Sequence, residues 1–155
     1  MSLKIGNLAP NFKLKNQDGE LIELKSFRGE KNVIVYFYPK AMTPECTNQA
    51  CGLRNYKRKL SAKKTIALGI SPDSVERLKK FESKEKLNFD LLSDPDHKIA
   101  DKYDSWGLKK FMGREYDGIL RQSFIINKEG RLCFILDKVK TKTHHDDVLK
   151  LLEEL

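Results

Sequence analysis

Cys46 follows Thr43-Pro44-Glu45, an order that suits the start of a helix. With Thr43 as N-cap and Pro44 at the first helical position, Cys46 falls inside the first turn. The amides of that turn have no helical acceptor, and the positive end of the helix dipole lies there. A sulfur in such a place is favoured as thiolate, which is the nucleophilic form. Glu45 works against this by adding a negative charge nearby. Cys51 lies five residues further on. In an ideal helix the two Cα atoms would be roughly 8.7 Å apart, beyond the ~7 Å that a disulfide tolerates. Either the two thiols never pair, or the first turns unwind to bring them together. The chemistry on offer is that of thiols and their oxidation.

The third cysteine, Cys133, stands alone in Leu132-Cys133-Phe134-Ile135-Leu136 and reads as a buried strand residue. Three cysteines, an odd number, argue against a secreted disulfide scaffold. His144-His145 precede a helical pattern without His-x-x-x-His or Cys-x-x-Cys spacing, so they read as a polar turn and no metal is expected. The net charge of +8 raises a basic nucleic-acid-binding module as a rival reading. Yet Lys57-Arg58-Lys59, Lys63-Lys64, Lys79-Lys80 and Lys109-Lys110 are short clusters, most with acidic neighbours. There is no zinc-finger spacing or RNA-motif aromatic pattern, so a solvated basic face is expected and no nucleic acid. The longest apolar run, Val33 to Tyr38, has six residues, against roughly 20 for a membrane span. Met1-Ser2-Leu3-Lys4-Ile5-Gly6 leads into mixed polar sequence, so no signal peptide and no membrane are expected, and a cytoplasmic location is.

The elements that must position these thiols are legible from periodicity. Phe12 to Lys15 and Leu21 to Leu24 alternate as strands around an Asn16–Glu20 turn, predicting an N-terminal β-hairpin. Asn32 to Tyr38 is a β-branched and aromatic run suited to a strand buried on both faces, ended by Pro39. A helix is predicted from Pro44 to about Leu60, a strand over Thr65–Ile70 and a helix over Ser74–Lys86. Phe89 to Leu92 is a short strand, and a short helix follows Asp94-Pro95-Asp96 through Tyr103. Asp104 to Gly118 shows no clear period and reads as an ordered loop. Arg121–Ile126 and Leu132–Leu136 are strands joined at Asn127-Lys128-Glu129-Gly130, and an amphipathic helix runs from Asp146 to Leu155. This order predicts one α/β domain over residues 1–155, a mixed central sheet with helices on both faces.

The string Tyr38-Pro39-Lys40-Ala41-Met42-Thr43-Pro44-Glu45-Cys46-Thr47, with Ala50-Cys51-Gly52 after it, resembles the peroxidatic-cysteine motif of peroxiredoxins. Specifically it is similar to their Q-type group, the bacterioferritin comigratory proteins. Gly6 to Phe12, Gly69-Ile70-Ser71-Pro72-Asp73 and Asp117 to Ile126 extend the resemblance over nearly the whole chain. Glu45 departs from the Gly that the group often has there. The resemblance implies a thioredoxin-like fold and thiol-dependent reduction of hydrogen peroxide and organic hydroperoxides, with no cofactor. It implies that Cys46 is the nucleophile and Cys51 the resolving cysteine, which together form an intramolecular disulfide. Thr43 would orient the peroxide, Pro39 would shield the site from water, and Arg121 would hold the thiolate and the charge developing on the peroxide oxygens. Thioredoxin or a similar dithiol would reduce the disulfide, and the chain would be a monomer or weak dimer. Trp106, Lys109-Lys110, Phe111 and Gly113 match the group's loop and would shape the rim of the site or pack locally rather than carry chemistry. A thiol-disulfide oxidoreductase on the same fold is the nearest rival, but it would normally carry Cys-x-x-Cys.

Overall fold

The computed structural model describes residues 3–155, so Met1 and Ser2 of the expected leader-free start lie outside the described residues. Strand β3 (Asn32–Phe37) is buried at every position after Asn32. Alternation sends Ile34 and Tyr36 to one face and Val33, Val35 and Phe37 to the other. A strand with two apolar faces belongs inside a sheet. Accordingly β3 pairs in parallel with β4 (Thr65–Ser71) and antiparallel with β8 (Ser123–Ile126). Beyond β4 lies β5 (Asp90–Ser93), also parallel, and beyond β8 lies β9 (Leu132–Leu136), antiparallel. The expected N-terminal hairpin, β1 (Lys13–Asn16) with β2 (Leu21–Glu23), joins antiparallel to β5. The sheet order is therefore β2-β1-β5-β4-β3-β8-β9, the mixed sheet expected of a thioredoxin-like fold.

Helices close both faces, as expected. The Ile34 and Tyr36 face is covered from α1 (Pro44–Asn55), α2 (Lys57–Ala62), α3 (Val75–Glu85) and α5 (His144–Leu152), through Leu53, Leu60, Leu78, Phe81 and Val148. The opposite face packs under α4 (Lys98–Lys102), with Phe12, Ile99 and Tyr103 against Phe37 and Phe124. Gly69 on β4 makes room for the buried Tyr36 ring, because a Cβ there would stand 2.8 Å from it.

Four local expectations change. The helix expected from Pro44 to Leu60 is broken at Tyr56, whose amide turns back to Gly52 and Leu53. The stretch Asp104–Gly118 is not a loop but a hairpin, β6 (Trp106–Phe111) with β7 (Arg114–Ile119). Met112 and Gly113 make its two-residue turn, both with positive φ. Most of this ribbon is solvent-exposed on both faces, so no buried side imposes the alternation that would have revealed it. Cys133 is half-buried rather than buried, since β9 is the edge strand. His144 is not in a polar turn. It opens α5, is fully buried, pairs with Ser123 of β8 at 2.7 Å, and lies 5.7 Å from the Tyr36 ring.

Burial pushes the His144 imidazole down to about 3, and the charges of His145 and Arg121 act in the same direction. A base depressed in the folded state leaves the unfolded chain with more bound protons between about pH 6.5 and pH 3. Stability is therefore lost as pH falls through that window, by up to about 1.4 kcal/mol per pH unit from this residue. Urea unfolding between pH 7 and pH 5 should show a shallower loss for His144→Gln than for the unmodified chain. Equal slopes would mean that His144 gains its proton without unfolding.

Candidate active site

β3 ends at Phe37, Tyr38 stays buried, and the chain bends at half-buried Pro39. Met42 adopts a left-handed backbone (φ 67°), an unusual state for a side chain of its size. Thr43 then extends (φ −87°, ψ 155°) and α1 begins at Pro44. This turn is clamped from the neighbouring strand and helix. Asp73 accepts from the Ala41 amide at 2.7 Å, and Arg77 donates to the Ala41 carbonyl at 2.8 Å. Asp73 and Arg77 also pair with each other at 3.1 Å, while Ser71 donates to Asp73 at 2.8 Å. A loop whose backbone donor and acceptor are both tied enters the helix in one geometry.

Thr43 occupies the N-cap position, but its hydroxyl does not cap. It donates to the Lys40 carbonyl at 2.8 Å and so braces the turn instead. Cys46, in the first turn of α1 as expected, is 1% exposed. Arg121 points one guanidinium nitrogen, Nη2, at its sulfur from 3.3 Å, and with Nη1 donates to Gln49 Oε1 at 2.8 Å. Arg121 lies just before β8 rather than within it; the Phe37 amide donates to the carbonyl of neighbouring Gln122 at 2.9 Å. Gln49 is fully buried and was not among the residues singled out from the sequence. Its signal was its spacing: three residues after Cys46, it shares that residue's face of the helix.

The structure thus brings Cys46, Arg121 and Gln49 into direct contact and puts Thr43 and Pro39 on the turn leading to them. Among the described residues neither Thr43 nor Pro39 touches the sulfur by a hydrogen bond. Lys109 of β6 is half-buried. Burial and the charge of Arg121 lower its ammonium from the usual range, partly offset by Cys46. Glu45 accepts a hydrogen bond from Thr141, in the segment ahead of α5. A surface cavity of about 770 Å3 beside α3, lined by Gln17, Asp18, Lys79 and Lys80, is separate from these groups.

Cys51 sits in the same unbroken helix, half-buried, and all three cysteines are free thiols. Its sulfur lies 3.6 Å from Glu85 Oε1 of α3. Burial pushes this thiol up, Arg54 opposes the shift, and Glu85 adds to it. With both residues helical, the spacing argument against a direct disulfide holds, so pairing requires part of α1 to unwind.

Residues 5–135 match the AhpC/TSA family. The chain is 52% identical to the putative peroxiredoxin bcp of Haemophilus influenzae, covering 99% of this chain and 98% of that one. It is 51% identical to the peroxiredoxin Bcp of Escherichia coli, covering 98% and 97%. Among solved structures, a cysteine-to-serine mutant of Xylella fastidiosa PrxQ superposes with a TM-score of 0.92 at 25% identity, over 99% and 98% of the two chains. Xanthomonas campestris bacterioferritin comigratory protein, described by its alkyl peroxide reduction activity, gives 0.89 at 28% identity over 98% and 96%.

The contact of Gln49 with Arg121 generates an expected outcome. Gln49→Leu frees one of the two nitrogens that fix the guanidinium over Cys46, and should slow consumption of the Cys46 thiol by hydrogen peroxide about tenfold. Stopped-flow oxidation with one equivalent of peroxide measures this; an unchanged rate would show that Arg121 keeps its place without Gln49.

Proposed function

Since the chain belongs to the AhpC/TSA family and is a thiol-dependent peroxidase, we propose that Cys46 is its nucleophile and Cys51 the thiol that resolves it. The observation that carries this reading is the buried Cys46 sulfur, 3.3 Å from the Arg121 guanidinium, in one helix with a second free thiol. The Cys46 thiolate attacks one peroxide oxygen. The S–O bond forms as the O–O bond breaks, and the second oxygen leaves as water or an alcohol after taking a proton. Charge passes from sulfur to that leaving oxygen, and the fixed guanidinium faces it throughout. Thr43, whose hydroxyl proton is committed to Lys40, keeps lone pairs free to accept from the peroxide O–H. Pro39 limits access of water at the bend.

The product is a sulfenic acid on Cys46. Once α1 unwinds, the Cys51 sulfur attacks it, the S–S bond forms, and the hydroxyl departs with the Cys51 proton as water. A thiol reductant then restores both cysteines by exchange, and thioredoxin or a similar dithiol fits an intramolecular disulfide of this kind. Because Cys46 is buried, only the O–O end of a substrate has to enter, which accommodates hydrogen peroxide and organic hydroperoxides alike. Residues 1–155 act as one domain, monomeric or weakly dimeric, in the cytoplasm and without nucleic acid. No helix among the described residues is long and apolar enough to cross a membrane.

Non-reducing peptide mapping after one equivalent of peroxide should find a Cys46–Cys51 link. A link to Cys133 or between two chains would overturn the assignment. Cys46→Ser should lose peroxide turnover, whereas Cys51→Ser should keep the first oxidation and lose recycling by dithiol; intact recycling would remove Cys51 from the resolving role.

A further inference from the structure

Both ends of α1 are tied to neighbouring elements, but to different ones. At its start, Cys46 is held by Arg121, and Glu45 by Thr141. At its end, Arg54 donates to the main-chain carbonyl of Glu85 at 2.6 Å, and Asn88 donates to the carbonyl of Arg54 at 3.2 Å. Lys57, just beyond the helix, adds a bond to the Asn88 carbonyl at 2.9 Å. Cys51 stands on the side of this second anchorage, with its S–H directed to the Glu85 carboxylate at 3.6 Å, within hydrogen-bond range for sulfur. We propose that Glu85 is a positioning residue: it holds the Cys51 thiol on α3 as a hydrogen-bond donor, so that Cys46 alone meets the peroxide and Cys51 waits in place for the sulfenic acid. The inference rests on the resolving role given to Cys51 above.

The physical reason lies in what a carboxylate does beside a thiol. It accepts a hydrogen bond only from the protonated form and repels the thiolate, so both effects keep the proton on sulfur. Burial, the larger effect, works in the same direction, and the Cys51 pKa is raised accordingly. Glu85 on α3 contacts the sulfur, and Arg54 on α1 and the Tyr36 phenol on β3 are the other titratable or charged groups that act on it. Of these only Arg54 favours the thiolate, and its guanidinium is engaged by the Glu85 main chain and by Asn55. Tyr36, whose pKa burial raises well above the usual phenol range, stays neutral. The thiolate, not the thiol, is the form that reacts with oxidants and alkylating agents. Glu85 thereby separates two thiols of one helix into a first and a second reactant. With Cys51 held to α3 by Glu85 and Arg54 tied to the Glu85 main chain, unwinding the first turns of α1 would bring Cys46 to Cys51.

Cys46→Ser/Cys133→Ser leaves Cys51 as the single thiol, and its rate of alkylation by iodoacetamide can be followed from pH 6 to pH 10. Adding Glu85→Gln keeps size and a hydrogen-bond acceptor but removes the charge. It should raise the rate at pH 7 by about three- to tenfold and move the profile to lower pH. Glu85→Asp restores the charge and should return the profile most of the way. An unchanged profile in Glu85→Gln would overturn the proposal. So would equal acceleration in Glu85→Gln and Glu85→Asp, because loosened packing rather than charge would then be responsible. In the chain with all three cysteines, one equivalent of iodoacetamide should label Cys46 first, and Glu85→Gln should shift label toward Cys51. These readouts are independent of disulfide mapping: were Cys51 not the resolving thiol, the mapping would fail while the alkylation shift remained.

Discussion

A guanidinium brought against a buried sulfur across 75 residues of chain is the contact on which this structure turns. It exists because β8 pairs antiparallel with β3 in a fixed register, Tyr36 opposite Ser123, and because Phe37 extends the ladder to Gln122. That register delivers Arg121 to the point where β3 gives way to α1. A slip of one residue would send its side chain to the other face of the sheet. Ile34 and Tyr36 are packed into one core and Val35 and Phe37 into the other, so a slip would mismatch close-packed side chains on both faces at once. The hydrophobic core thus sets the position of a charge.

On the mechanism proposed above, the same site must be firm and must also open. The turn before α1 is clamped through Ala41 by Asp73 and Arg77, and Met42 holds an unfavourable backbone state within it. Gln49 fixes the second arm of the guanidinium. Yet Cys46 and Cys51 can bond only if helical hydrogen bonds between them are given up. Holding Cys51 on α3 through Glu85, next to the tie between Arg54 and the Glu85 main chain, leaves any unwinding to the turns that carry Cys46. One turn can leave while the rest of the helix, and the core beneath it, stays packed.

How much of this is legible in the sequence depends on how local the cause is. Thr43-Pro44 before Cys46 announces a helix start through backbone chemistry of adjacent residues, and α1 begins there. The apolar run after Asn32 announces a central strand, and β3 is one. The β6–β7 ribbon escapes because neither of its faces is buried, so no alternation is imposed on Leu108 to Tyr116. His144 reads as polar next to His145, yet it is interior because α5 carries it onto Ser123 and Tyr36. Half-exposed Cys133 reads as core because its neighbours are apolar; only its place on the edge strand exposes it.

Spacing and motif by themselves determined where thiol chemistry is available: one sulfur in a first helical turn and a second thiol too far along the same helix to pair with it while both stay helical. The partners were decided by the tertiary structure. Gln49 beside Arg121, Glu85 beside Cys51, and Asp73 with Arg77 about Ala41 each join segments distant in sequence or hidden on a helix face. Local rules act through covalent neighbours and leave a mark in the string. Contacts between distant segments arise only when sheet register and helix packing have brought them together, and no spacing along the chain records them.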